Sequence, residues 1–173
     1  MNKVNLPQLA QEIHAAAVEK GFWDVEDAIE KHCAKMISEL GEVAQADRAG
    51  VMYEIERDGG KPEGVVAELA DFVMMTMDMY MHLLGTFPSD DIETWNENAE
   101  AVKPLTELPV YMLVGSLTST FVALCHVCDN SPMLQIVYAV YKWLQARDYD
   151  LWEIIHQKME YNKSRPALHG RAY

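Results

Sequence analysis

Apolar residues recur three and four positions apart over most of this chain, which is the period of an amphipathic α-helix. The pattern predicts six helices, at about 5–20, 24–57, 62–84, 106–128, 132–147 and 150–163. Helix-ending or capping residues separate them, such as Gly21, Asp58-Gly59-Gly60 and Asp150. No segment alternates convincingly as a strand would. We therefore expect an all-α helical bundle of about five to six helices in one domain, residues 1–173.

The third predicted helix, 62–84, is apolar nearly all round, as a helix in a core or at a subunit interface would be. Left partly uncovered in a monomer, it would favour a homodimer or a dimer of dimers. Its methionines also allow an adaptable binding surface, so a non-enzymatic helical oligomerisation module is one alternative. Three acids, Glu68, Asp71 and Asp78, interrupt this apolar helix.

The amino-acid composition and net charge limit which ligands the protein can bind. Of the 173 residues, 50% are hydrophobic, which is typical of a folded chain, and the formal net charge is −13. Such a charge repels nucleic-acid polymers, whereas a small phosphate ligand that brings its own Mg²⁺ is compatible with it. Gly85 to Pro104 is an acidic connection for which we expect a solvated surface segment, and it has room for a short helix around 92–99.

The cysteines, the first twenty residues and the longest apolar run give no sign of a zinc or redox site, a signal peptide or a membrane span. Cys33, Cys125 and Cys128 are an odd set without a second C-x-x-C pair, so we expect buried free thiols. Residues 1–20 lack the apolar core of a signal peptide, and the longest apolar run, about 110–125, is short for a bilayer span. We expect a cytoplasmic protein with no membrane partner.

Two pairs of carboxylates carry the strongest chemical signal. Glu39 and Glu42 share a face of the second predicted helix, and Glu68 and Asp71 share a face of the third. The intervening chain is long enough for a turn, so an antiparallel hairpin would bring four negative charges together. Buried charges need partners of opposite sign, and hard oxygen ligands favour Mg²⁺, with Mn²⁺ as the alternative. Lys35, one turn before Glu39, would pair with it or reach a phosphate.

A di-iron carboxylate bundle also gathers acids between helices, but it requires two E-x-x-H motifs. This chain offers Glu153-Ile-Ile-His156, which is not joined to the acidic pairs. We therefore favour the magnesium site.

A local positive cluster lies near the carboxyl end of the chain. Lys158, Lys163 and Arg165 fall within eight residues of one another, and Lys158 shares a helix face with Asn162. Cations and an amide beside a metal site suit a phosphate clamp, although basic residues at a helix end also complement the helix dipole. Trp23, which follows the helix break at Gly21, is the first candidate for stacking on a base.

These motifs together resemble those of the MazG-like nucleoside triphosphate pyrophosphohydrolases, which belong to the all-α superfamily that includes dimeric dUTPases. The similarity runs along most of the chain, from 20–24 through 38–42 and 68–71 to the tail. The tail Asn162-Lys-Ser-Arg165-Pro-Ala-Leu-His169-Gly170 adds most to its specificity.

The resemblance implies a metal site of Glu39, Glu42, Glu68 and Asp71, and cleavage of nucleoside triphosphates to monophosphate and pyrophosphate. It also implies that Lys158, Asn162 and Arg165 approach the phosphates. Where many members have a further Glu, this chain has Ser38, which leaves the general base open between Glu39 and Glu42. A dUTPase-like or a phosphoribosyl-ATP pyrophosphatase-like hydrolase remains an alternative, since base and sugar are not specified.

Overall fold

The computed structural model describes residues 4–26, 28–55, 60–88, 105–126 and 131–166. In this part of the chain the fold is an all-α helical bundle, as predicted. Its helices are α1 Leu6–Glu19, α2 Ala28–Ala49, α3 Val65–Leu84, α4 Val110–His126, α5 Ser131–Gln145 and α6 Leu151–Lys163. A two-stranded antiparallel hairpin, β1 Glu54–Ile55 with β2 Pro62–Glu63, joins α2 to α3.

The helix α2 is shorter than the predicted one at both ends. It begins at Ala28, whereas Asp24 lies in the turn that precedes it. It ends at Ala49 because Gly50 takes a left-handed conformation, with a φ of 73°. The amides of Gly50 and Val51 then bond to the carbonyls of Asp47 and Ala46, which is a Schellman ending. The extension to residue 57 was therefore wrong, and β1 follows instead.

The first turn of α3 is held by the segment before the hairpin. The amides of Val65 and Val66 donate to the carbonyls of Val51 and Met52 at 3.1 and 3.0 Å. Gly64, the residue just before α3, has a φ of 99°, and a Cβ there would lie 2.8 Å from the carbonyl oxygen of Met52. Only glycine can bring its backbone this close to the Met52 carbonyl. Helix α3 starts at Val65, and Pro62 belongs to β2 rather than to the helix.

The helix α3 is the central element of the bundle, and α1, α2, α5 and α6 all pack against it. Most of its side chains are buried within the chain itself, including Val66, Leu69, Phe72 and Val73 at 0% exposure. Burial inside one chain accounts for its apolar sequence, so that sequence gives no added support to the predicted homo-oligomer. The oligomer stays a prediction.

The remaining helices match their predicted positions closely. Asp150 caps α6 as expected, because its carboxylate accepts the amides of Trp152 and Glu153 at 3.0 and 3.3 Å. Cys33 is half-buried and forms no disulfide with a described residue. The helix expected around 92–99, Cys128 and the His169-Gly170 motif lie outside the described residues. None of the described helices combines the length and the hydropathy that a bilayer span requires.

Candidate metal centre

Three glutamates from two neighbouring helices meet at one point. Glu39 and Glu42 from α2 and Glu68 from α3 each offer a carboxylate oxygen, and the three oxygens lie within 4.8 Å of one another. The predicted convergence of the two acidic pairs is confirmed for these residues. It follows from the antiparallel packing of α2 on α3, together with the one-turn spacing along α2.

Burial makes this cluster costly for the protein on its own. Glu39 and Glu68 are 7% and 5% exposed, and Glu42 is half-buried. Burial, reinforced by the charges of Asp71 and Glu42, raises the pKa of Glu39 to about 8 from an ordinary 4.5. Burial also raises the pKa of Glu68 to about 7, although Lys158 opposes the shift. Without a cation, these carboxylates are therefore held towards their neutral forms.

Asp71, the fourth predicted ligand, sits at the edge of the triad. Its charge is the second cause of the raised pKa of Glu39, so the two groups are close. One of its oxygens, however, accepts a hydrogen bond from Nζ of Lys158 at 2.7 Å, and the same Nζ is 3.8 Å from Glu68. Asp71 thus lies beside the triad and is balanced by an internal cation.

Lys158 is buried deeply, at 2% exposure. Burial alone would lower the pKa of Lys158, but the carboxylates of Asp71 and Glu68 raise it above its ordinary value. Its ammonium is therefore charged and directed at the two acids of α3. The predicted contact of Lys158 with phosphate is not tested by this geometry, which shows instead a role in fixing Asp71.

The carboxylates line a cavity of about 480 Å³, within the usual range of small-molecule sites. Its wall also contains five basic side chains and an amide, which are Lys20, Lys35, Lys61, Lys163, Arg165 and Asn162. In a chain with a net charge of −13, this concentration of cations is notable. It provides positive charge for a phosphate-bearing ligand in the same cavity as a cluster suited to a divalent ion.

The predicted phosphate-binding residues occupy distinct places in the wall. Lys35 lies over the ring of Phe22, 4.4 Å from its centroid, and its charge favours the ionised form of Glu39. Nη1 of Arg165 donates to Oδ1 of Asn162 at 3.2 Å, so these two side chains form one unit. All of these side chains line the cavity, whereas Lys158 and Trp23 are not among its lining residues.

Helix α3 carries another buried carboxylate, Asp78, ten residues beyond Glu68. It is 3% exposed and also lines the cavity. Its Oδ1 accepts hydrogen bonds from Nδ1 of His14 at 2.6 Å and from Nε1 of Trp23 at 3.0 Å. Burial raises the pKa of Asp78 to about 6 in spite of these two donors.

Trp23, predicted to stack on a base, is in contact with protein rings. It stacks on His82 at a centroid distance of 3.8 Å and on His32 at 4.7 Å. Its indole N–H is used by Asp78. The structure therefore places Trp23 as a support for Asp78, and stacking on a base remains a prediction.

The donor set of the triad fits a hard divalent cation. Its ligands are all carboxylate oxygens, two of the three glutamates are buried, and both of these have raised pKa values. Mg²⁺ and Mn²⁺ prefer such oxygen ligands. A bound cation would add positive charge to that which Lys158, Lys35 and Lys61 already supply beside these acids.

No protein-family model, curated protein or solved structure matches this chain. The chemistry of the site therefore rests on its own residues. Sequence reasoning left Asp78 without a role and gave none to Lys61, which lies close enough to Glu68 to lower its pKa. The sequence feature that could have indicated a role for Asp78 was its position as an isolated acid in an apolar helix.

Proposed function

We propose that this protein is a Mg²⁺-dependent nucleoside triphosphate pyrophosphohydrolase, which cleaves the triphosphate to nucleoside monophosphate and pyrophosphate. The observation that carries this proposal is the meeting of Glu39, Glu42 and Glu68 within 4.8 Å on the wall of a 480 Å³ cavity. The lysines and Arg165 of the same wall support a polyphosphate as the ligand. The motif resemblance supports the α–β anhydride as the bond that is broken.

In this proposal Glu39, Glu42 and Glu68 hold the metal, and Asp71 stands beside them. When bound, Mg²⁺ supplies charge neutralisation at the phosphate oxygens and makes water more acidic. Whichever of Glu39 and Glu42 keeps an unligated oxygen accepts the proton of the attacking water. The two share an α2 face, so either can serve without rearrangement of the backbone.

The basic residues act on the leaving group. Arg165, oriented by Asn162, and Lys61, whose ammonium pairs with Glu63 at the cavity wall, stabilise the negative charge that develops on pyrophosphate. Lys35 faces the cavity from the Glu39 side and contributes to the same field. Lys158 acts one step back, because its ammonium holds Asp71 at the edge of the triad.

The test is a panel of ribo- and deoxyribonucleoside triphosphates incubated with Mg²⁺ or Mn²⁺, with products separated by anion exchange. We expect monophosphate and pyrophosphate in equal amounts, and no turnover in EDTA. Release of diphosphate and inorganic phosphate would place the cleavage at the wrong bond. Phosphoribosyl-ATP and dUTP belong in the panel, since the alternative hydrolases would show a strong preference for one of them.

A further inference from the structure

One oxygen of Asp78 accepts no hydrogen bond from the part of the chain that the structure describes. Its Oδ1 takes both hydrogen bonds, from His14 and Trp23. Among the described residues no hydrogen bond to Oδ2 is formed, and Nε2 of His32 lies 3.8 Å from it, which is beyond hydrogen-bond distance. A buried carboxylate oxygen without a donor is costly, so this atom is available to a ligand.

His32 does not donate a hydrogen bond to Oδ2 of Asp78. Its Nε2 donates to the carbonyl oxygen of Met75 at 3.0 Å, so its one ring proton is already used. Burial lowers the pKa of His32 to about 4, which keeps the ring neutral. Both His32 and Asp78 line the cavity, so a ligand in the cavity lies beside the Asp78 carboxylate.

The cavity has two ends, set by the antiparallel helices α2 and α3. At one end Glu42 of α2 meets Glu68 of α3, and at the other His32 meets Asp78. Asp71 and Asp78 are seven residues apart, so they share a face and are separated by roughly 10 Å along the helix. That separation is comparable to the reach from the α-phosphate of a nucleotide to the edge of its base.

Apolar side chains form part of the cavity wall. Phe22, Met74 and Met75 line the cavity together with Ile13 and Ala17 of α1. The thioethers of Met74 and Met75, together with Ile13 and Ala17, provide an apolar surface for a base, and Asp78 places one acceptor on the same cavity wall. This arrangement resembles a binding site in which apolar contacts hold a ligand and a few polar groups orient it.

We propose that Oδ2 of Asp78 accepts a hydrogen bond from the exocyclic amino group of the substrate's nucleobase, so that the site favours adenine, cytosine or guanine over uracil and thymine. This inference rests on the proposed function, because it takes the ligand to be a nucleotide. Adenine and cytosine present N6 and N4 amino donors, and guanine an N2 amino donor. Uracil and thymine offer only N3–H, flanked by two carbonyl oxygens that a carboxylate repels.

The first experiment uses the unmodified protein and matched substrate pairs. ATP is compared with purine riboside triphosphate, and CTP with 2-pyrimidinone riboside triphosphate, each analogue lacking only the amino group. We expect kcat/KM to fall roughly tenfold to hundredfold when the amino group is removed, as for a lost hydrogen bond to a charged group. Equal kcat/KM values within both pairs would overturn the inference and leave the proposed function intact.

The second experiment uses Asp78→Asn. The amide oxygen can still accept from His14 and Trp23, while the nitrogen replaces the unpartnered acceptor with a donor. We expect the amino-group preference to disappear and UTP to gain relative to CTP. A preference retained in full would contradict the inference. If the variant unfolds, the matched pairs still decide the question.

A binding measurement separates the two proposals. The α,β-methylene analogues of ATP, CTP and UTP resist cleavage at the bond in question, and calorimetry with Mg²⁺ measures their affinity without turnover. Tighter binding of the ATP or CTP analogue supports the role of Asp78 even if no substrate is hydrolysed. Equal binding of the three analogues, or no binding of any, would overturn it.

Discussion

The two ends of the cavity each hold buried carboxylates, but the protein treats them differently. At the Asp78 end, two donors satisfy one oxygen and a single oxygen is left over. At the triad end, Glu39, Glu42 and Glu68 face one another, and the buried cation Lys158 contacts Asp71 at 2.7 Å and Glu68 at 3.8 Å. This difference is the basis of our two proposals, that the Asp78 end orients a ligand and that the triad end holds a cation.

The largest expected effect comes from removing a triad charge. Glu39→Gln or Glu42→Gln should lower kcat/KM for nucleoside triphosphates by roughly 100-fold or more, because each removes a metal ligand or the base. Glu30→Gln, on the exposed surface of the same helix, is the matched control and should leave activity unchanged. Full Mg²⁺-dependent activity in both triad variants would refute the assignment.

Removing the internal cation should damage the fold. Lys158→Met leaves Asp71 and Glu68 without their partner, and breaking a buried pair costs about 3 kcal/mol of unfolding free energy. Urea denaturation measures this loss, and Mg²⁺ should offset part of it by binding the carboxylates that the substitution leaves without a cation. Lys163→Met is the control, since that side chain is 68% exposed. Equal losses in the two variants, or no response to Mg²⁺, would show that the triad end is not short of positive charge.

The raised pKa values predict that metal-free protein loses stability as pH rises. The unfolded chain has released the protons of Glu39 and Glu68 by pH 6.5, whereas the folded chain releases them mainly between pH 6.5 and 8, since their pKa values are about 8 and 7. The unfolding free energy should therefore fall by about 2 kcal/mol across this window. His32 works in the opposite direction only below pH 6.5, because its pKa is lowered to about 4.

Denaturation in EDTA at several pH values tests this slope. The Glu39→Gln variant should show a shallower slope, because it has no carboxyl group to ionise at that position. Mg²⁺ should stabilise the protein more at pH 8 than at pH 6.5. A flat profile, or one that rises with pH in both proteins, would argue against uncompensated charge at the triad.

The smallest effect is expected at the Asp78 end. Trp23→Phe keeps a ring beside His82 and His32 but removes the N–H donor to Asp78, at a cost of about 1 kcal/mol of unfolding free energy. Because this end does not bind the metal, Mg²⁺ should not restore the loss. A loss that Mg²⁺ reverses would mean that the two ends are not independent.

Local spacing explains which parts could be predicted from the sequence. Glu39 and Glu42 share a face by helical geometry, and the length of chain to Glu68 permits an antiparallel return. The all-α fold followed from the same periodicity. The ending of α2 at Gly50 was missed because helical periodicity continues past it. The helix ends there because Gly50 is left-handed and the amides of Gly50 and Val51 donate to carbonyls of the last turn.

Contacts between distant residues could not be read from spacing. Lys158 meets Asp71 across 87 positions, and His14 meets Asp78 across 64. Both depend on how α1 and α6 pack on α3. Trp23 shows the same limit, because its stacking on His82 and its bond to Asp78 come from tertiary packing.

Calorimetric titration of the metal-free protein with Mn²⁺ at pH 7.5 tests the triad most directly. We predict saturable binding, with an enthalpy that varies with the buffer because Glu39 releases a proton, and a severe loss of affinity in Glu39→Gln but not in Glu30→Gln. Absence of binding, or equal affinity in the two variants, would contradict a divalent-cation site at Glu39, Glu42 and Glu68.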